Sequence, residues 1–172
     1  MTPALTIAEA YLRDADMLAA MHALCFPLDP WNSEAMAGLL ATPGLRGLYA
    51  IGGAPQAMAL VRFAADEAEI LTLGVVPSAR RQGIGGQILD AVLKFARQRG
   101  SRTLFLEVAI DNLHARRLYL GRGFSEVGRR PDYYHRGAGP KQDALILKLA
   151  IGGGLGHDGG AGATRAVSHG RS

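Results

Sequence analysis

Residues 75–86 read Val75-Val76-Pro77-Ser78-Ala79-Arg80-Arg81-Gln82-Gly83-Ile84-Gly85-Gly86. An apolar run stops at a proline, a polar turn follows, and a helical pattern begins on closely spaced glycines. The first N–H groups of a helix have no partner inside it. They carry the positive end of the helix dipole, so they suit an anion. Glycines here let an anion approach the backbone, and Arg80 and Arg81 add positive charge. The segment is expected to cradle a pyrophosphate. A plain tight turn would also satisfy a lone Gly-x-Gly. Two familiar phosphate motifs are missing. No G-x-x-x-x-G-K-[ST] loop occurs, and Ile88 stands where G-x-G-x-x-G needs its third glycine.

The flanks of this segment set the fold class. Residues 69–76 form an apolar strand pattern that Pro77 stops. Residues 83–99 repeat Ile84, Ile88, Leu89, Val92, Phe95 and Ala96 at helical spacing, with Gly100 as the C-cap. Residues 103–108, TLFLEV, read as a buried strand. A strand–helix–strand unit favours a right-handed crossover and a parallel pair. Upstream, residues 4–9 alternate as a strand, and Asp14 caps a helix with Met17, Leu18, Met21, Leu24 and Cys25 on one face. Residues 26–32 are a proline-broken loop, and Ser33 opens a second helix ending near Gly44. Residues 45–51 and 55–63 form a hairpin around Gly52-Gly53. Downstream, 112–122 is a helix ended by Gly123, and 124–127 and 144–149 are strands. The expected fold is α/β (α+β), ordered β-α-α-β-β-β-α-β-α-β-β, with a mixed sheet. Residues 1–150 form one domain. Residues 151–172 are expected to be a flexible glycine-rich tail, too poor in large apolar groups to offset its ordering entropy.

Composition narrows the function classes. The chain has 172 residues, 48% hydrophobic and 20% charged, with a net charge of +4. That excess suits an anionic ligand but does not indicate nucleic acid. No stretch approaches the roughly 20 apolar residues of a membrane span. The N-terminal residues MTPALTIAEAYLRDAD lack the basic head and apolar run of a signal peptide. Cys25 has no second cysteine to pair with, which fits a cytoplasmic setting. The five histidines show no metal-ligand spacing, so no metal is expected.

Arg80-x-x-Gly83-x-Gly85 matches the [QR]-x-x-G-x-[GA] signature of the GNAT superfamily of acyl-CoA-dependent N-acyltransferases. The wider chain, from about residue 4 to 149, resembles the RimI-type ribosomal-protein-alanine N-acetyltransferases. The resemblance rests on DEAEILTLGVVPSARRQGIGGQIL, TLFLEVAIDNLHARRLYLGRGF, RRPDYY and DALILKL. It implies a mostly antiparallel sheet with one splayed parallel pair, and acetyl-CoA as co-substrate. It assigns Leu73, Gly74 and Val75 as backbone partners of the pantetheine arm. Arg81, Gln82, Gly83, Ile84, Gly85 and Gly86 would hold the pyrophosphate, and Asn112 would touch the cofactor near that arm. The implied acceptor is a protein N-terminus, with the alanine of a small-subunit ribosomal protein as the leading case. No direct nucleic-acid or membrane partner is implied, and a monomer is compatible with everything read so far.

Two residues are candidates for the chemistry. Glu107 is a carboxylate inside an apolar strand, which is costly unless paired or useful. Burial moves a carboxyl group toward the range a general base needs. The alternatives are solvation at the strand end or an arginine partner. The resemblance makes Glu107 the proton acceptor. Tyr119 would ordinarily be packing, but a phenol with a pKa of about 10 can protonate a thiolate, and the resemblance places the proton donor here. Attack on the thioester would be direct, with a backbone N–H near Val75 steadying the oxyanion. Tyr133, Tyr134, Phe26 and Trp31 either line a peptide groove or pack loops. Arg129 and Arg130 read as a solvated strand face or as an attraction for an acidic peptide, and Cys25 as a buried structural thiol.

Three departures fall on the acceptor side. Residues 26–31 carry extra residues, RRPDYY is longer by one, and Gln142-Asp143 stands where an acidic pair is common. Lysine or a small amine therefore stays open as the acceptor. A non-catalytic acyl-CoA-binding module and a nucleotide-binding regulator are more distant alternatives.

Overall fold

A computed structural model describes residues 4–134 and 138–152. Seven strands and four helices are built from them: β1 (Thr6–Ala10), α1 (Ala15–Cys25), α2 (Ser33–Ala41), β2 (Leu45–Ile51), β3 (Pro55–Ala64), β4 (Glu67–Val75), α3 (Ile84–Gln98), β5 (Thr103–Ala109), α4 (Leu113–Leu120), β6 (Ser125–Tyr134) and β7 (Gln142–Ala150). The single sheet has the order β1-β2-β3-β4-β5-β7-β6. All neighbours are antiparallel except β4 and β5. The mixed α/β reading and its parallel pair therefore hold.

The crossover helix α3 anchors one face. Ile84, Ile88, Leu89, Val92, Leu93 and Ala96 are all buried, and Phe95 meets Phe63 of β3 edge-on at 5.8 Å. Burying each large aliphatic side chain contributes about 1.5–3 kcal/mol. Ladder partners share a face, so Ala68, Ile70, Leu73 and Val75 of β4 lie with Ala57, Ala59 and Val61 of β3 and Leu104 and Leu106 of β5. The other face carries Glu69, Thr72 and Gly74 and is covered by α1. Gly74 admits that helix: an added Cβ would stand 2.8 Å from Cys25 Sγ and 3.1 Å from Phe26 Cε2.

Several boundaries differ from expectation. A 3-10 turn, Leu12–Asp14, precedes α1, and the Asp14 carboxylate accepts from the Tyr11 N–H at 2.8 Å rather than capping forward. Leu24 is exposed, and its expected place in the core goes to His22. The second helix ends at Ala41, before Gly44. Strand β6 starts after Phe124 and continues to Tyr134, so RRPDYY is strand and not loop. Ile151, assigned to the tail, is only 7% exposed, and its N–H donates to the Arg102 carbonyl at 2.8 Å. The rest of the expected tail, from 153, lies outside the described residues.

His22 is 3% exposed and stacks on Trp31 at 4.4 Å. Its Nδ1 accepts the Trp31 backbone N–H at 3.1 Å, which requires the neutral ring and fixes the loop after α1. Burial pushes its pKa below the ordinary histidine value, against a smaller opposite push from Asp29. A lowered folded pKa means the unfolded chain takes up the proton first. Stability is therefore complete above pH about 6.5 and falls as pH drops below it. Denaturant titrations at pH 7.5 and 5.5 should show this acid-side loss in the native chain. His22→Asn, which keeps an acceptor but cannot titrate, should show less of it.

Candidate active site

The site starts where the sheet splits. The β4–β5 ladder ends at Ile70 opposite Leu106, although β4 runs on to Val75 and β5 to Ala109. The cause lies on the other edge of β4. There Leu60 faces Thr72 while Val61 faces Ile70, which leaves Leu71 as an extra residue. A bulge bends its strand and raises its twist. It falls at the level of the last parallel rung, so β4 turns away from β5. Val76 N–H donates to the Gln56 carbonyl of β3 at 2.9 Å. By ladder alternation, the main-chain groups of Leu73 and Val75 then face the gap and those of Gly74 face β3. The Arg80 guanidinium folds back onto the Val75 carbonyl at 3.1 Å, so Arg80 tethers the end of β4. A strand edge of this kind pairs with an extended amide chain.

The glycine turn forms the second part. Gly83 caps α3 at φ +76°, and Arg81 also has positive φ, +61°. Left-handed residues beside a helix start turn successive N–H groups to one side, a concavity that accepts anions. Arg81, Gln82 and Gly83 are exposed there. Ile84 offers main chain alone, because its side chain is core. Gly85 has ordinary room, with Val75 Cγ2 3.5 Å and Leu118 Cδ2 3.6 Å from an added Cβ. Gly86 lies under Arg122, whose Cζ would stand 3.1 Å from such a Cβ. Asp90 holds that guanidinium with contacts of 2.8 and 3.2 Å.

Glu107 is the first β5 residue past the last rung shared with β4. It shares the face of Glu69 and Gly74, opposite α3. Its side chain is 15% exposed, and Oε1 lies 2.6 Å from Arg130 Nε. That nitrogen is buried and has no well-aligned hydrogen-bond acceptor, so the contact is an ion pair off the N–H axis. The arginine partner weighed as an alternative is what the structure shows: Arg130 keeps part of its side chain in solvent but turns a buried Nε onto Glu107. Tyr133 is raised above the ordinary phenol range by burial, with the Glu107 charge and a hydrogen bond to Glu107 adding to it. The Arg130 guanidinium also lies over the Tyr133 ring, 5.6 Å from its centre. Tyr134 Oη donates to the Glu107 carbonyl at 3.4 Å.

Tyr119 is 6% exposed on α4 and meets Phe124 edge-on at 5.7 Å. Burial first, then the Tyr134 phenol, push its pKa well above the tyrosine range. It stays protonated throughout physiological pH, but in this state it is a weaker acid than the free phenol on which the sequence argument relied. Tyr134 thus stands between the two candidate residues. Asn112 caps α4: its Oδ1 accepts the Ala115 N–H at 3.1 Å, a use of that oxygen the sequence reading did not include. Trp31 and Phe26 pack on His22, with ring centres 4.4 and 4.7 Å away.

Arg130 and Asp143 were not among the sequence candidates. The signal was present in RRPDYY and Gln142-Asp143, but ending the strand at 127 hid it. Only the continued strand carries Arg130 to Glu107. Among the described residues no group of three His, Cys, Asp or Glu side chains could hold a metal, and no helix is long and apolar enough to cross a membrane.

Comparison with known proteins agrees with this geometry. Residues 12–124 match the model of the Acetyltransferase (GNAT) family. The [Ribosomal protein bS18]-alanine N-acetyltransferase of Escherichia coli K12 is 33% identical over 144 residues, covering 81% of this chain and 95% of that protein. The N-alpha-acetyltransferase RimI of Mycobacterium tuberculosis is 35% identical over 139 residues, 77% of this chain and 86% of that one. The crystal structure of the Escherichia coli ribosomal-protein-S18-alanine N-acetyltransferase superposes with a TM-score of 0.81 at 27% identity, over 88% of this chain and 97% of that one. A strand edge opened by a bulge, an anion cradle at the start of α3, and these likenesses converge: the chain belongs to the GNAT family and is an acetyl-CoA-dependent N-acetyltransferase.

Proposed function

We propose that this enzyme transfers acetyl from acetyl-CoA to the N-terminal α-amine of a protein, with the N-terminal alanine of a small-subunit ribosomal protein as the leading acceptor. The observation that carries the reading is the place of Glu107. It stands at the fork between β4 and β5, under Arg130 and Tyr133, on the sheet face away from α3. The names of the 33% and 35% identical relatives point to the same acceptor class. Residues 1–150 carry the activity as one domain, and the cytoplasm is the expected compartment.

Acetyl-CoA supplies an activated thioester. The main-chain groups of Leu73 and Val75 would pair with its pantetheine amides, beside Gly74. The N–H groups from Arg81 to Gly86 suit its pyrophosphate, and Asn112, at the start of α4, would touch the cofactor near its pantetheine arm. Glu107 takes the proton that the acceptor ammonium must lose before its nitrogen can attack. Tyr119 protonates the departing sulfur, the second proton that the nitrogen sheds on becoming an amide restores the phenol, and the first leaves Glu107 for solvent. The Val75 N–H faces the gap where the carbonyl oxygen gains charge. General acid–base steps of this kind contribute roughly 10²- to 10⁴-fold each.

The purified chain should be incubated with acetyl-CoA and peptides beginning with Ala, Ser or Met, following free CoA and peptide mass. One acetyl on the α-amine, fastest for the alanine peptide, is expected. Stabilisation by acetyl-CoA with no transfer to any peptide would move the acceptor to small amines. Glu107→Gln and Tyr119→Phe should each lower kcat by about 10²-fold or more while leaving acetyl-CoA binding in place. At the cradle, Gly85→Asp should weaken acetyl-CoA affinity by about tenfold or more through charge repulsion, and Gly85→Ala should not. Calorimetric titration with acetyl-CoA separates the two.

A further inference from the structure

The residues over Glu107 arrive there through an irregular stretch of β6. Arg130 faces Ala144 of β7 and Tyr134 faces Gln142, so Pro131, Asp132 and Tyr133 all lie opposite one residue, Asp143. Three residues against one is a large bulge, and Pro131 has no N–H to give to the ladder. Asp132 sits at φ +53°, a conformation that costs a side-chain-bearing residue free energy unless its surroundings hold it.

Asp143 supplies that hold with both carboxylate oxygens. Its Oδ1 accepts the Asp132 N–H at 3.0 Å, and its Oδ2 pairs with Arg129 Nε at 2.9 Å. Its own carbonyl accepts the Ile110 N–H at 2.9 Å, just past the end of β5. One residue therefore joins the bulge, the exit of the Glu107 strand and the approach to α4, which carries Tyr119. On either side of the held turn, Arg130 reaches the Glu107 carboxylate and Tyr134 reaches its carbonyl.

We infer that Asp143 is a positioning residue for the acceptor. It fixes the β6 bulge so that Arg130, Tyr133 and Tyr134 shape the approach of an amine to Glu107. Asp143 touches no reacting atom and lies on the far side of β5 from the strand edge and glycine turn assigned to acetyl-CoA. This inference rests on the peptide-acceptor reading above.

The test uses the full chain with an alanine-initiated peptide. Asp143→Ala should raise the peptide KM about tenfold or more and leave acetyl-CoA affinity within about twofold. Asp143→Asn keeps an oxygen for the Asp132 N–H and loses the Arg129 ion pair, so it should recover most of the loss. Hydrogen exchange at the Asp132 amide should quicken in Asp143→Ala and stay slow in Asp143→Asn. An unchanged peptide KM in Asp143→Ala overturns the inference, as does an equal loss of acetyl-CoA affinity. If Asp143→Ala fails to fold, an Asp143→Asn enzyme with the same peptide KM and slow Asp132 exchange supports the role, and one as impaired as an unfolded chain refutes it. A native enzyme that acetylates no peptide removes the acceptor reading and this inference together. A native enzyme that does so, beside an unaffected Asp143→Ala, removes this inference alone.

Discussion

One extra residue in β4 governs the site. Leu71 has no partner of its own across the ladder to β3, and the strand bends where it is accommodated. Up to Ile70 the strand lies against β5. Past it the two edges part, and each keeps main-chain groups that a regular sheet would consume. A sheet interior normally hides such groups, because an unpaired N–H or C=O away from water is costly. Here the interruption opens a wedge in the middle of a seven-stranded sheet, and the rest of the fold is arranged around it.

The wedge would be unstable without support on both faces. On one side, α3 buries a continuous aliphatic stripe against β2, β3 and β4, and its N-terminus arrives beside the end of β4. On the other, α1 closes on Gly74, where no side chain could fit. Arg80 ties the last β4 carbonyl back to the turn. The anion cradle and the open strand edge are thus parts of one strand–turn–helix unit. An ordered start to α3 implies an ordered edge on β4, because the same few residues make both.

The acceptor side is built differently. Its charged and phenolic groups come from β6, an edge strand, brought in by a bulge that is irregular and locally strained. A buried carboxylate next to an apolar strand needs a counter-charge, and Arg130 supplies one at the cost of occupying the approach to Glu107. Polar packing of this kind is less tolerant than an aliphatic core, since every member depends on another for its partner. The cofactor side uses backbone geometry; the acceptor side uses side-chain charges held by other charges.

Local sequence was sufficient for the parts that depend on local physics. The helical stripe of α3, the glycines at its start, the apolar strands and the parallel crossover could all be read from period and turn chemistry. Glu107 stood out because one carboxylate interrupts an apolar run. Tertiary structure decided the rest. Nothing in 71–76 marks Leu71 as a bulge, because a bulge is a relation between two strands. Arg130 and Asp143 resemble surface charges until β6 is carried on to Tyr134, and their partners, Glu107 and Arg129, are chosen by strand register. Leu24 and His22 exchanged places because α1 packs a face that its apolar residues alone do not define. Sequence determined which segments form elements and where an anion can sit. Register and packing determined which charges meet, because those contacts join residues far apart in the chain.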